Sequence, residues 1–437
     1  MSLGAGRDAD VIVIGASVAG LCAAAAVLAE GRSVMLVERD PLPDDATPRR
    51  GVPQGGQLHN MLGRAQQSME ILFPGVVEEL VDAGWVAADI SSETEVIDHG
   101  AAMPRRDLGM RIVSGSQPIL EQVLRRRLLA TGTVDVLVGY RFRGLEVEEG
   151  RLQGIEIEGS DGSRHWLSSP LVIDATGVGT PVPALLRSSG IPLEEQHWRA
   201  DQWYVTVGLN RPVGSRGDRS FRMAFPSEGG TEGALLSPDG EDRWYLSVNG
   251  RSSGEAPTNF EAMLEHCSRL QGSTISEVLE GASVHRAPQR FRRVNAIWHR
   301  YDLLDEPVVG LLPIGDALAA LNPLFGQGMS VASWEAAVLK DLLADGMPPD
   351  RVASGYLSRA ADCVRAAWNL DDEVADFFAS WSMSDVGTTM ARAFEVDVDL
   401  HRRYVRLWHL LENFEEIATP LATAMQAVVD EKETAKR

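Results

Sequence analysis

The chain has 437 residues, with 62 acidic against 41 basic side chains and a formal net charge of −21. That length suits two or three lobes sharing cores, and the acidic balance argues against a polyanion-binding surface or an anionic membrane as partner, so neither nucleic acid nor stable membrane insertion is expected. Cys22, Cys267 and Cys363 are scattered and lack metal-ligand spacing, so no disulfide framework and no metal site follow, and a reducing cytoplasm fits.

The run Val11 to Ile14 is too short for a helix and too uniform for a half-exposed strand, so it reads as a buried parallel strand. A glycine turn follows directly. Gly15 allows the tight turn, Ser17 stands where a second glycine usually lets main chain approach a pyrophosphate, and Gly20 lets the next helix pack close. The first N–H groups of that helix, at Val18, Ala19 and Gly20, point with its positive dipole end at an anion over the turn. A second strand, Ser33 to Val37, ends in Glu38, eighteen residues beyond Gly20 and placed to bind adenosine ribose hydroxyls. Because the glycine turn breaks the apolar stretch at 11–29, that stretch is not expected to be a leader or a membrane span.

A loop from Pro41 to Gly56 carries RRGVPQGG, and the spacing of Leu58, Leu62, Ala65, Met69 and Leu72 predicts a helix beginning near Gln57 and stopped by Pro74-Gly75. Pro118 opens another helix bearing Leu120, Val123, Leu124 and Leu128. From Val134 to Ser168 the period changes to two, which predicts an antiparallel meander. It leads into the buried strand of LVIDATG, where Asp174 and Gly177 stand at a sheet's carboxyl edge, a place for ligand contact.

Residues 190–300 lose the βα rhythm and show WYVTVGL, FRMAFP, GALLS and RWYLSVNG, which predict a second lobe built on an antiparallel sheet with a helix near Phe260 to Leu270. The chain then returns through Val308–Ile314. Asp316 ends that strand with a carboxylate able to accept from ribityl hydroxyls, and Asn322-Pro323 bends the chain into Gly326-Gln327-Gly328-Met329, the start of a helix to Leu343. N–H groups at such a helix start suit the pyrimidine edge of a flavin, whose reduced form is anionic there. Beyond 346 the chain reads as helical to 437. Three segments in this order imply a noncovalent FAD.

GASVAG, VERD, RRGVPQ with His59 following, FPG, LVIDATG, IGD and NPLFGQGMS resemble landmarks of the group A FAD-dependent monooxygenases, and within them of bacterial epoxidases and hydroxylases of polyketide and polyether biosynthesis. The resemblance spans roughly 10 to 345. It implies an α/β protein with a Rossmann-type, GR2-like FAD lobe containing a β-meander (1–90, 110–185 and 300–345), a substrate-binding antiparallel sheet lobe (190–300) and a C-terminal helical region (346–437). By it, Glu38 and Arg39 would bind the adenosine part, Arg50 and Arg125 the phosphate side, and Asp316, Pro323, Gly326, Gly328 and Met329 the ribityl chain and ring. Gln117 stands where relatives often carry Arg, and Gly56-Gln57 where they often carry Arg-His.

The implied reaction uses electrons from NAD(P)H or a separate flavin reductase and forms a flavin hydroperoxide from molecular oxygen, whose distal oxygen passes to an apolar biosynthetic intermediate. No protein nucleophile is then needed, and the lack of an evident general base favours epoxidation slightly over phenol hydroxylation. His59 could orient the ring or relay a proton, or simply be satisfied within a helix start. Flavin halogenases need a lysine between flavin and substrate, and the chain's three lysines, Lys340, Lys432 and Lys436, all come late. A saturase of the geranylgeranyl-reductase kind and a silent FAD-binding accessory protein stay open. Trp203, Trp244 and Trp298 read as core packing, and Arg286, Arg290, Arg292 and Arg293 as a solvated face paired with acids.

Overall fold

The computed structural model describes residues 9–436 apart from 200, 213–220, 226–231, 241, 252–253, 348 and 382–384. Residues 1–8 of the expected FAD lobe and Pro226 of FRMAFP thus lie outside the described residues. The fold is α/β, with a parallel sheet, antiparallel sheets and C-terminal helices.

A five-stranded parallel sheet runs in the order Leu311–Pro313, Leu171–Asp174, Val11–Ile14, Val34–Glu38 and Val134–Val138. Val11–Ile14 is buried throughout because a parallel strand with helices packed over it leaves no wet face. The helix Val18–Ala29 packs against both Gln117–Ala130 and Gly328–Ala344. Its alanine-rich stretch, Ala23 to Ala26, lets those helices come close. The three glycine segments thereby reach the carboxyl edge of one sheet.

Two local expectations are corrected. Residues Leu58–Met61 form a strand paired with Arg111–Ser116, and the helix starts only at Gly63. The helical spacing was real from 62 onward, but a pairing partner fifty residues away claimed the four residues before it. Val134–Val138 is the fifth parallel strand, and the meander comprises Tyr140–Glu148, Arg151–Gly159 and Arg164–Leu167. Gly139, with φ 85°, turns the chain from one sheet into the other.

The second sheet has seven strands, ordered Ser283–Arg293, Gln202–Asn210, Arg243–Arg251, Gly233–Asp239, Phe221–Ala224, Thr94–Asp98 and Ala101–Ala102. The last two come from 91–109, which the sequence assigned to neither lobe, and Thr94–Asp98 joins in parallel. Trp203 and Trp244 are buried in this sheet's own core, and Trp298 lies in the main core. Five helices between Pro349 and Lys436 complete the described chain. Among the described residues, no helix is long and apolar enough to cross a membrane.

Candidate functional site

The close packing of the glycine turn is backbone against backbone. Gly15 has φ 106°, donates its N–H to the Val37 carbonyl at 2.8 Å, and a Cβ there would lie 2.4 Å from the Ala175 carbonyl oxygen. At Gly20 a Cβ would lie 1.9 Å from the Gly15 oxygen. The turn therefore nests against the Ala175–Gly177 segment, and the N–H groups of Val18, Ala19 and Gly20 have no acceptor within their own helix.

Around this turn lies a buried ion network. Glu38 accepts the Ala16 N–H at 2.8 Å and the Asp40 N–H at 2.9 Å, and pairs with Arg49 at 3.0 Å. Arg49 also pairs with Glu121 at 2.9 Å and donates to the Ala16 carbonyl at 3.0 Å. Glu121 in turn accepts from the Ser17 hydroxyl at 2.6 Å and from Gln117 at 3.0 Å. Burial alone would pull Arg49 down, but its two carboxylate partners win and hold its pKa above the ordinary arginine value.

Several expected contacts shift. Arg50 is exposed, and its neighbour Arg49 is the guanidinium that reaches the glycine turn; the chain itself turns at 49–52, where the Val52 N–H donates to the Arg49 carbonyl at 3.1 Å, and this carries Arg50 outward. Arg39 is exposed and reaches only the Gly51 carbonyl at 3.5 Å. Arg125 is buried behind Arg49 and donates to the Pro43 carbonyl. Asp174 is fully buried, and Thr176 and Thr180 take its carboxyl oxygens, so its side chain closes the turn instead of facing a cofactor. Gly177, with φ 79°, lets that turn close. Gln117 lies beside Ser17, at 3.2 Å, and its buried Oε1 has no partner.

At the other end of the sheet edge, Asp316 forms an ion pair with Arg293 at 3.1 Å. Arg293 is buried and its second guanidinium nitrogen, Nη1, has no partner, so it departs from the solvated face expected of that arginine cluster. Arg286, Arg290 and Arg292 do not line this site. The helix Gly328–Ala344 begins here, and Cβ atoms added at Gly326 or Gly328 would meet nothing within 4 Å. Below the loop, Glu335 accepts the Gly315 N–H at 2.7 Å, and burial pushes its carboxyl well above the usual range.

A cavity of about 290 Å³ opens over this loop, lined by Asp316, Pro323, Gly326, Gly328 and Met329. The sheet lobe contributes Tyr204, Met223 and Phe225, and the C-terminal helices contribute Phe394, His401, Tyr404 and Trp408. His59 also lines it from its strand, with Nδ1 3.0 Å from the Gln57 carbonyl, and burial lowers its pKa. The sequence offered no signal for Arg293 or the C-terminal residues, whose approach depends on long-range packing.

These residues suit FAD. Unpaired helix N–H groups at the first turn can take a pyrophosphate, and the open glycine loop with the unsatisfied Arg293 nitrogen leaves room and a polar contact for an isoalloxazine. Glu38→Ala is expected to weaken FAD binding by about 1–3 kcal/mol, because it removes an acceptor and one of the two carboxylate partners of buried Arg49. Titration of the apoprotein by flavin fluorescence quenching measures this; unchanged affinity would place the ribose elsewhere.

Comparison with known proteins agrees. A family profile described as FAD dependent oxidoreductase matches residues 10–203. Protein Rv3254 of Mycobacterium tuberculosis is 30% identical over 355 residues, covering 76% of this chain and 72% of that protein. Digeranylgeranylglycerophospholipid reductase 1 of Methanopyrus kandleri is 27% identical, covering 81% and 85%. The solved structure of the flavin-dependent brominase Bmp2 shares the fold, with a TM-score of 0.70 at 16% identity over 98% of this chain and 100% of that one. With the profile covering the segment that builds the phosphate turn, and a relative matched along most of both chains, the protein belongs to the FAD-dependent oxidoreductase family.

Proposed function

We propose that the protein is an FAD-dependent monooxygenase, an epoxidase or hydroxylase acting on a largely apolar intermediate of specialised metabolism. NAD(P)H or a separate flavin reductase would supply electrons, and molecular oxygen is the co-substrate. When bound, FAD supplies the redox chemistry that makes one atom of dioxygen available for transfer. The chain's own groups bind, orient and exclude water: Val18, Ala19 and Gly20 would face the pyrophosphate, Glu38 the ribose, and Asp316 with Arg293 the ribityl side of the ring.

The observation that carries this reading is the cavity itself, which opens over the glycine loop and is walled by Met223, Phe225, Phe394 and Trp408, so that an apolar molecule would lie against the flavin. Saturating an isolated alkene requires an acid to deliver a proton after hydride, and the three titratable groups that the C-terminal helices add to the wall are weak acids for that step. Burial, reinforced by Asp98, pushes the Tyr404 phenol well up, and burial keeps His401 and His409 neutral, both pulled down to about 4. Oxygen transfer to an alkene asks for no such acid. Halogenation is disfavoured because no lysine is among the described lining residues, and Lys340 and Lys432 pair with Glu30 and Asp385 instead.

The test is to reduce the holoprotein anaerobically, admit labelled oxygen with candidate polyenes or polycyclic aromatics, and seek product carrying one labelled atom. Saturation of a double bond with oxygen absent would replace this reading with the reductase one. Labelled oxygen recovered only as peroxide or water, whatever the substrate, would leave a silent accessory role.

A further inference from the structure

The helix Val398–Trp408 lays a graded face along the cavity. At one end, Trp408 stacks on Phe325 of the glycine loop, with ring centroids 4.9 Å apart. Buried Gln327 fastens the same junction by donating to the Trp408 carbonyl at 3.3 Å. One turn back is Tyr404, and another turn back is His401, seven residues from Trp408 and so about 10 Å along the axis. The helix therefore runs from the place where a flavin ring would lie to a point well away from it, and its cavity-facing side changes from aromatic to polar on the way.

At that remote end the polar groups are built in. Tyr404 donates to Asp98 Oδ2 at 3.2 Å, and His99 Nδ1 lies 2.9 Å from Asp98 Oδ1. His401 is 2% exposed, stacks flat on Phe394 with centroids 4.9 Å apart and planes 9° off parallel, and lines the cavity. Its Nδ1 has no hydrogen-bond partner. A buried ring nitrogen left unsatisfied beside a cavity calls for a ligand group to complete it.

We propose that this end recognises a hydroxyl group, so that the substrate is a mainly apolar molecule carrying an alcohol or phenol anchored by His401 and the Asp98–Tyr404 pair. A hydroxyl both donates and accepts, so it satisfies Nδ1 in either tautomer and can also donate to the Asp98 carboxyl group. Burial supports this by keeping the imidazole uncharged near neutral pH. The formally charged residues lining the described cavity are Asp98, Asp316 and Arg293, and Arg293 lies at the glycine-loop end, where one of its guanidinium nitrogens pairs with Asp316. Arg106 acts on His401 electrostatically but does not line the cavity. That balance disfavours a carboxylate or phosphate headgroup as the anchor. Since the anchor sits about two helical turns from the glycine loop, the hydroxyl is held apart from the reacting carbon.

The inference deepens the monooxygenase reading and names its substrate class, but binding tests it without turnover, so its failure and that of oxygen transfer are separable. The oxidised holoprotein would be titrated with 2-naphthol, 2-methylnaphthalene and 2-naphthoate, following the flavin absorbance change. The expected result is about three- to tenfold tighter binding of 2-naphthol than of either other probe, from one net hydrogen bond gained over the methyl analogue. In His401→Phe, which keeps the stacked ring but loses Nδ1, the ratio of 2-naphthol to 2-methylnaphthalene affinity should fall to near one; Asp98→Asn should reduce it as well. Equal affinities in the parent protein, no measurable binding of any probe, tightest binding of 2-naphthoate, or a preference that survives His401→Phe would each overturn the proposal.

Discussion

Gly20→Ala is expected to yield a folded protein that no longer retains FAD. The added Cβ would lie 1.9 Å from the Gly15 carbonyl oxygen and 3.3 Å from the Ala175 Cβ. The first of these is backbone, so no side-chain rotation relieves it. Gly15 in turn is fixed by its N–H to Val37 and by the close approach of Ala175. Either the helix retreats from the turn or the turn opens, and both move the N–H groups of Val18–Gly20 away from a bound pyrophosphate. Overpacking of this kind costs about 1–3 kcal/mol, and the rigidity of the clash puts Gly20 at the upper end, near 100-fold in affinity. Gly326→Ala is the informative contrast. Its φ is 65°, but a Cβ there meets nothing within 4 Å, so only the left-handed backbone resists, at about 1–2 kcal/mol. Visible flavin absorbance per protein, with far-UV circular dichroism to confirm helix content, ranks the two variants. If Gly20→Ala binds FAD as the parent does, the turn does not hold the pyrophosphate.

What made this turn legible in the sequence is that its requirements are local: a buried strand, a glycine and a helix start must follow one another within about ten residues. The same holds for Asp316 and the loop to Met329. Legibility failed wherever the decisive contact was distant. Leu58–Met61 looks helical by spacing until Arg111–Ser116 is laid beside it, and Val134–Val138 alternates like the meander it precedes. Arg49 and Arg50 are adjacent and chemically identical, and only the path of the loop decides which one is buried. Asp98 belongs to a strand whose parallel partner, Phe221–Ala224, lies more than a hundred residues on. Its meeting with Tyr404 brings together residues 306 apart. A cavity wall assembled from such pairings leaves no periodic trace, so the absence of an evident polar group in the sequence was no guide to the chemistry of the pocket.

Acid should weaken the packing of the C-terminal helices through His409. This residue is 2% exposed, its Nδ1 accepts the Gly63 N–H at 2.9 Å, and burial pulls its pKa from the usual 6.5 down to about 4. The unfolded chain therefore binds a proton between those two values that the folded chain refuses. Stability is unaffected by this residue above pH 6.5 and is lost as pH falls toward 4, by about 3 kcal/mol in total. Glu335 and Asp174 act in the opposite sense, since burial raises both, and the folded form takes up their protons first. The raw pH profile thus mixes the two. His409→Asn separates them, because its side-chain oxygen can still accept from Gly63 but does not titrate. Urea unfolding of both proteins should show the variant modestly weaker at pH 7.5, from the volume it loses, and the difference should shrink or reverse between pH 6.5 and 4. A stability difference that stays constant across that range would mean His409 is protonated in the folded protein, and the hydrogen bond from Gly63 could not then stand, since a protonated ring nitrogen has no lone pair to offer.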